Sequence, residues 1–129
     1  MTKKKDSPAR LLTEAELELM GILWKLGGGS VNDVLTQLPP ERKLAYTSVS
    51  TILRILEQKK VVSSRKEGRG HVYLPLLNKE QYEATSLHHL VDRVFEGAPA
   101  SLVRRLLETE DLSAADLQSI RALLNERLG

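Results

Sequence analysis

The apolar pattern of this chain changes its period near residue 60, and this change constrains the fold more than any other feature. Over 46–59 the apolar residues recur at the spacing of an amphipathic helix, namely Val49, Ile52, Leu53 and Leu56. Two short segments that carry β-branched residues follow, 61–66 and 71–76, and the glycine-bearing stretch 67–70 joins them. The sequence therefore predicts a helix followed directly by a β-hairpin.

Two more helices are predicted before this pair of elements. Thr13 and Glu16 have capping-box spacing, and the apolar residues that follow at helical spacing run to a glycine triplet, so the first helix is expected over 14–26. Ser30 is the next N-cap residue, and two prolines end a short second helix expected over 31–38. The order of helix, short helix, helix and hairpin is that of a winged helix-turn-helix.

Charge is distributed unevenly along the chain, although the net charge is only +2. Residues 1–80 hold 14 Lys and Arg against 9 Asp and Glu, a balance of +5, whereas residues 81–129 hold 5 against 8, a balance of −3. A polyanion would therefore meet the N-terminal part.

The third predicted helix has one apolar face and one face of short hydroxyl side chains. If the apolar stripe holds this helix on a scaffold, the hydroxyl face is left to enter a major groove, where Arg54 can reach guanine or phosphate oxygens. The residues expected to contact bases are Thr47, Ser48, Ser50, Thr51 and Arg54. The residues expected to contact phosphates, which position without specifying sequence, are Lys43, Tyr46, Arg65, Lys66 and Arg69.

Each of these features also has a plainer interpretation. Serine and threonine occur on any solvated helix face, and a basic hairpin can be a solubilising surface. The combination favours a reader of double-stranded DNA. The alternative is a winged-helix module that binds a protein partner without sequence-specific DNA binding.

The rest of the chain is predicted to form three helices, over 79–96, 100–109 and 114–127. They are too short to build a large core alone, so they either fold onto the N-terminal part or pair with a second copy. We favour pairing, because two half-sites of a palindromic operator require a twofold dimer. The expected interface is Leu87, Leu90, Val94, Leu102, Leu106, Leu117, Ile120 and Leu124.

The predicted organisation has three parts: a flexible basic arm at 1–10, a winged-helix domain at 11–77 and a helical dimerisation domain at 78–129. The fold class is mainly α with one small hairpin. No apolar run is long enough to span a membrane, and no signal peptide is recognised, so a cytoplasmic protein is expected.

No catalytic residue, metal site or cofactor is expected. The chain has no cysteine, which excludes disulfides, thiolate metal sites and cysteine nucleophiles. His88 and His89 are adjacent, so on a helix they point about 100° apart and cannot chelate one ion together without other ligands. No P-loop and no catalytic triad signature is present, and an enzyme is not indicated.

Two stretches resemble the penicillinase-repressor (BlaI/MecI/CopY) family. Residues 12–24 are similar to its opening helix and 46–60 to its recognition helix, where the match rests on Thr47, Val49, Thr51, Leu53, Leu56 and Lys59. Residues 101–103 and a late group are similar to its C-terminal region, the group being Leu117, Ile120, Leu123, Leu124 and Asn125. The resemblance covers about 11–127. It implies a dimeric repressor of palindromic operators that dimerises through its C-terminal helices.

In this family a membrane sensor-protease pathway leads to cleavage in the C-terminal domain, so an upstream sensor or protease is an implied partner. This chain departs from the family pattern in three places. A copper-responsive branch of the family uses a C-terminal cysteine motif, which this chain lacks. Arg105-Leu106 stands where the beta-lactam repressors have an Asn-Phe bond. Many members carry their helix arginine where this chain has Ile55. The operator sequence, the regulated genes and the inducing signal stay open.

Overall fold

A computed structural model describes residues 11–129; the predicted arm at 1–10 lies outside the described residues. The chain is mainly helical with one two-stranded antiparallel sheet, which confirms the predicted fold class. The elements are α1 (Glu14–Leu26), α2 (Val31–Gln37), α3 (Tyr46–Gln58), β1 (Val62–Glu67), β2 (Gly70–Pro75), α4 (Lys79–Arg93), α5 (Pro99–Thr109) and α6 (Ala114–Leu128). They fall into two compact units, which divide between Ser86 and Leu87.

Local capping explains where α1, α2 and α6 begin. Thr13 with Glu16, Ser30 with Asp33, and Ser113 with Asp116 each form a complete capping box, in which side chain and backbone satisfy each other's hydrogen-bonding groups. Five of the six helices agree with the predicted ranges to within one residue at either end. The fourth was predicted to reach residue 96, but α4 ends at Arg93, because Glu96 and Gly97 adopt left-handed backbone angles.

The core of the N-terminal unit lies where α1, α2, α3 and the base of the hairpin meet. The apolar stripe predicted for α3 points into it, with Val49, Leu53 and Leu56 completely buried. The other fully buried side chains of the unit are Leu19, Met20, Leu23 and Val34, with Val61 and Val62 nearly so. Helix α3 is therefore held along one side by apolar packing.

The first turns of α4 belong to this core, and the compact unit includes residues up to Ser86. The Tyr82 hydroxyl accepts a hydrogen bond from the Leu12 backbone N–H at 3.0 Å, and its ring lies 6.0 Å from that of Trp24. The Trp24 indole N–H in turn donates to the Leu77 carbonyl at 2.8 Å. These contacts fasten the start of α4 to α1.

The glycine triplet after α1 does more than end that helix. Gly29 and Tyr73 exchange two backbone hydrogen bonds, of 2.9 and 2.8 Å, which attach the loop to β2. Gly28 has φ +140°, and a Cβ there would lie 2.6 Å from the Leu74 Cδ2 atom. Only glycine allows both this angle and this close approach, so the triplet anchors the hairpin.

A partly buried ion pair joins the start of α1 to the end of α3. The Lys59 ammonium donates to both carboxylate oxygens of Glu16 at 2.8 Å. Burial alone would raise the pKa of Glu16, but the hydrogen bonds from Lys59 and Thr13 and the charge of Lys59 outweigh it, so this pKa lies below its ordinary value. The charged form of Glu16 is therefore favoured by folding.

We expect Glu16→Gln to lower the free energy of unfolding at pH 7 by about 1 kcal/mol, a modest value because water screens the partly exposed Lys59. The folded pKa is depressed, so the stabilisation is present above the unfolded pKa of 4.5 and is lost as pH falls through the folded value. Urea unfolding from pH 7 to 3 should show the difference between variant and wild type shrinking in acid. Glu41→Gln, at an exposed loop position, should match wild type at pH 7. A difference independent of pH would contradict the assignment.

Lys60, the residue after the C-cap of α3, has φ +65°, a left-handed conformation that costs a side-chain-bearing residue free energy. Replacing it with glycine should raise the free energy of unfolding by about 0.5–1 kcal/mol. Lys60→Ala, which keeps the Cβ atom, should give little or no gain. Equal thermal stability of the two variants would argue against strain at this position.

Candidate nucleic-acid interface

Helix α3 presents its hydroxyl face to solvent. Thr47, Ser48 and Thr51 are exposed and Ser50 is half-buried, while the opposite face of the helix is buried. Spacing of three and four residues places Thr47, Thr51 and Arg54 on one side of the helix. Thr47, Thr51 and Arg54 therefore share one surface, and Ser48 and Ser50 flank it on opposite sides.

Arg54 is exposed, and the ion pairs within residues 11–129 do not include it. Its positive charge also acts on Tyr73, at the base of the hairpin. Burial raises the pKa of the Tyr73 hydroxyl, the negative charge of Glu57 raises it further, and the positive charge of Arg54 opposes them. The charges of Arg54 and Glu57 on α3 therefore both act on Tyr73 of β2. Because Arg54 is exposed and outside these ion pairs, its guanidinium is available to an anion.

The wing, defined as β1, β2 and their turn, carries cations toward its tip. Ser64 pairs with Tyr73, and Lys66 pairs with His71. Arg65, Lys66 and Arg69, three of the predicted phosphate contacts, are exposed. Because side chains alternate across a strand, Arg65 and Lys66 project from opposite faces, so one flat surface cannot use both equally.

The Arg65 guanidinium also lies 3.4 Å from the Glu67 carboxylate. Both side chains are about 60% exposed, at 60% and 61%, and such surface pairs contribute little to stability. The contact nevertheless lowers the net positive charge on that face of the wing. Lys66 has no such partner among the ion pairs within residues 11–129.

The remaining predicted phosphate contacts lie at the entrance to α3. Lys43 is exposed in the preceding loop, and Tyr46, the first residue of the helix, is half exposed. The first turn of α3 contains no acidic residue. A cation, a phenol and a turn without acidic side chains are compatible with an approaching anion.

Two residues of this region carry contacts that sequence reasoning missed. The Ser64 hydroxyl donates to a Glu57 carboxylate oxygen at 2.6 Å, which connects α3 to β1. Nothing in the periodicity of either element marks the pair, because the two residues are seven positions apart and lie in different kinds of secondary structure. The contact exists only once the strand folds back against the helix.

Most of the predicted interface residues, which lie in the second unit, are exposed to solvent. Leu87, Leu90, Val94, Leu106, Leu117 and Leu124 are between 38% and 62% exposed. Leu102 and Ile120 are half-buried. Helices α5 and α6, both fully described, bury no residue. This unit has apolar faces and lacks a core of its own.

Metal binding and membrane insertion have little support in the described part of the chain. Within residues 11–129 no three side chains of His, Asp or Glu gather in a way that could hold a metal ion. His88 and Asp92 lie 4.0 Å apart and are largely exposed. No helix among these residues has the length and apolar character needed to cross a membrane.

Comparison with known proteins extends over both units. Residues 12–126 match the family model described as penicillinase repressor. The penicillinase repressor of Bacillus licheniformis is 29% identical over 115 residues, which cover 89% of this chain and 90% of that protein. The methicillin resistance regulatory protein MecI of Mammaliicoccus sciuri is 24% identical over 122 residues, 95% of this chain and 99% of that one.

A similar solved structure is the solution structure of the DNA-binding domain of the repressor BlaI. It is 31% identical, covers 55% of this chain and 87% of that one, and gives a TM-score of 0.49. The family match itself spans nearly all of the described residues, including the helices that follow the winged helix. The chain therefore belongs to the penicillinase repressor family of winged-helix transcriptional regulators.

Proposed function

We propose that this protein is a dimeric repressor that binds a palindromic operator through α3 and the wing. The observation that carries the proposal is the two-sided character of α3, with Val49, Leu53 and Leu56 buried and the opposite hydroxyl face exposed with Arg54. A helix fixed in this way can enter a major groove without disturbing the core. The relatives named as repressors support the same function.

Base reading is assigned to Thr47, Ser48, Ser50, Thr51 and Arg54. Phosphate binding is assigned to Lys43, Tyr46, Arg65, Lys66 and Arg69. Arginine suits base reading because its guanidinium can donate two hydrogen bonds to one guanine, which no hydroxyl side chain can do. Since Arg65 and Lys66 project from opposite faces of the wing, we expect them to contribute unequally.

The second unit is assigned to dimerisation. Exposed apolar side chains on α4, α5 and α6 favour burial against a second copy, and a twofold dimer matches the symmetry of a palindrome. In this proposal the DNA-binding unit extends to Ser86, so α4 runs from one function into the other. A protein that binds a bacterial operator works in the cytoplasm.

The upstream sensor or protease that the family resemblance implies stays a prediction. Arg105 and Leu106 lie inside α5, and the Arg105 guanidinium donates to Glu108 at 2.8 Å. A protease binds its substrate as an extended strand, so cleavage at this bond would require local unfolding of the helix. Release of the operator by proteolysis would therefore depend on how stable α5 is.

Arg54→Ala should weaken specific operator binding by about 1–3 kcal/mol and relax base selectivity at one position. The measurement is fluorescence anisotropy with DNA from upstream of the protein's own gene and with a scrambled duplex, at two salt concentrations. Lys66→Ala is the contrasting variant, which should weaken binding to both duplexes and reduce the salt dependence. Unchanged affinity and selectivity would remove Arg54 from the reading surface. Equal binding of wild type to both duplexes would favour the protein-interaction alternative.

Leu124→Glu and Leu106→Glu should each dissociate the dimer, because a charge would be buried in an apolar contact. Gln118→Glu, at an exposed polar position on α6, should leave association intact. Sedimentation velocity at micromolar concentration, with and without operator, distinguishes the two states. A wild-type chain that sediments as a monomer in both conditions would refute the dimer.

A further inference from the structure

We propose that Glu57 is a positioning residue for operator binding: by accepting the Ser64 hydroxyl it fixes β1 against α3 and so sets where the wing meets DNA. The inference rests on the proposed function. It adds a residue that makes no base or phosphate contact itself. The pair Glu57–Ser64 is called the brace below.

The brace occupies the point where the hairpin leaves the core. Val61 and Val62 are buried, Ser63 and Ser64 are half-buried, and every residue over 65–71 is exposed. The partner strand β2 is also held at this position, because Tyr73, which pairs with Ser64, exchanges two backbone hydrogen bonds with Gly29. The brace is thus the last described side-chain hydrogen bond from β1 to the helix before the exposed tip.

The distance from the brace to the tip of the wing makes the brace important for where the tip lies. A strand rises about 3.3 Å per residue, so the cationic tip lies roughly 10 Å beyond Ser64. A small tilt of β1 at the brace becomes a larger displacement of Lys66 and Arg69. Since phosphate contacts depend on register along the DNA backbone, losing the brace should weaken binding even though every cation remains.

The charge of Glu57 allows a positioning role to be distinguished from a purely electrostatic one. Half-buried Glu57 is the one acidic residue in the sequence of α3, on a helix whose exposed residues suit a polyanion. An acid there would repel phosphates and weaken binding if charge were its whole effect. Its 2.6 Å hydrogen bond with the Ser64 hydroxyl directs the carboxylate to the strand instead. Removing Glu57 should therefore weaken operator binding if it positions the wing, and strengthen operator binding if it acts only by its charge.

The test compares operator affinity of Ser64→Ala, Glu57→Ala, Glu57→Gln and the double alanine variant. Both single alanine variants should lose roughly threefold to tenfold in affinity, and the double variant should lose no more than either alone. Glu57→Gln keeps an oxygen acceptor for the hydroxyl and should bind at least as well as Glu57→Ala. Ser64→Thr, which keeps the hydroxyl, should restore binding.

Ser63→Ala is the matched control, one residue earlier on the same strand and pointing to the other face; it should bind like wild type. Lys66→Ala should cost less affinity in the Ser64→Ala background than in wild type, because the displaced wing no longer brings this cation to the phosphates. Thermal unfolding of each variant checks that the fold is intact. A loss of affinity that tracks only a fall in melting temperature would overturn the positioning role.

Two further results would also overturn it. Tighter operator binding by Glu57→Ala would show that Glu57 acts only by its charge. Unchanged ¹⁵N relaxation of the wing amides in Ser64→Ala would show that the brace does not hold the strand, and this measurement needs no DNA. A wild type without operator preference would refute the proposed function, and the relaxation result would then still decide whether the brace fixes the wing.

Discussion

The packing of one side of α3 against α1 and α2 is the interaction on which the rest of the structure depends. Val49, Leu53 and Leu56 are completely buried, and a buried aliphatic side chain of this kind contributes about 1.5–3 kcal/mol. Their burial fixes the rotation of the helix about its own axis. Once that rotation is fixed, Thr47, Ser48, Thr51 and Arg54 lie on the solvent side, and Ser50 is half-buried.

Smaller contacts then set the position of the helix ends and the hairpin. The Glu16–Lys59 ion pair fastens the end of α3 to the start of α1, and the Gly29–Tyr73 bridge fastens β2 to the loop after α1. Neither contributes as much as the apolar core. Their value is geometric, because they determine how the wing stands relative to the exposed face of α3.

The two units differ in what they can bury. The N-terminal unit has a closed core that includes Tyr82 of α4, whereas α5 and α6 leave leucines exposed along their length. A chain with apolar helix faces and no core of its own is incomplete as a folded body. In the proposed function, pairing of two copies through this unit would also bring two copies of α3 together.

Local sequence by itself determined the helices, the hairpin and the face of α3 that would be exposed, because capping residues, glycines and apolar period act over a few neighbouring positions. The stripe ending at Leu56 and the Thr13 capping box were readable in this way. Only the tertiary structure decided that α4 completes the N-terminal core through Tyr82, that Gly29 bonds β2, and that Glu57 accepts the Ser64 hydroxyl. These contacts join elements whose mutual distance no local pattern encodes. They arise when the buried side of α3 brings the surrounding chain together.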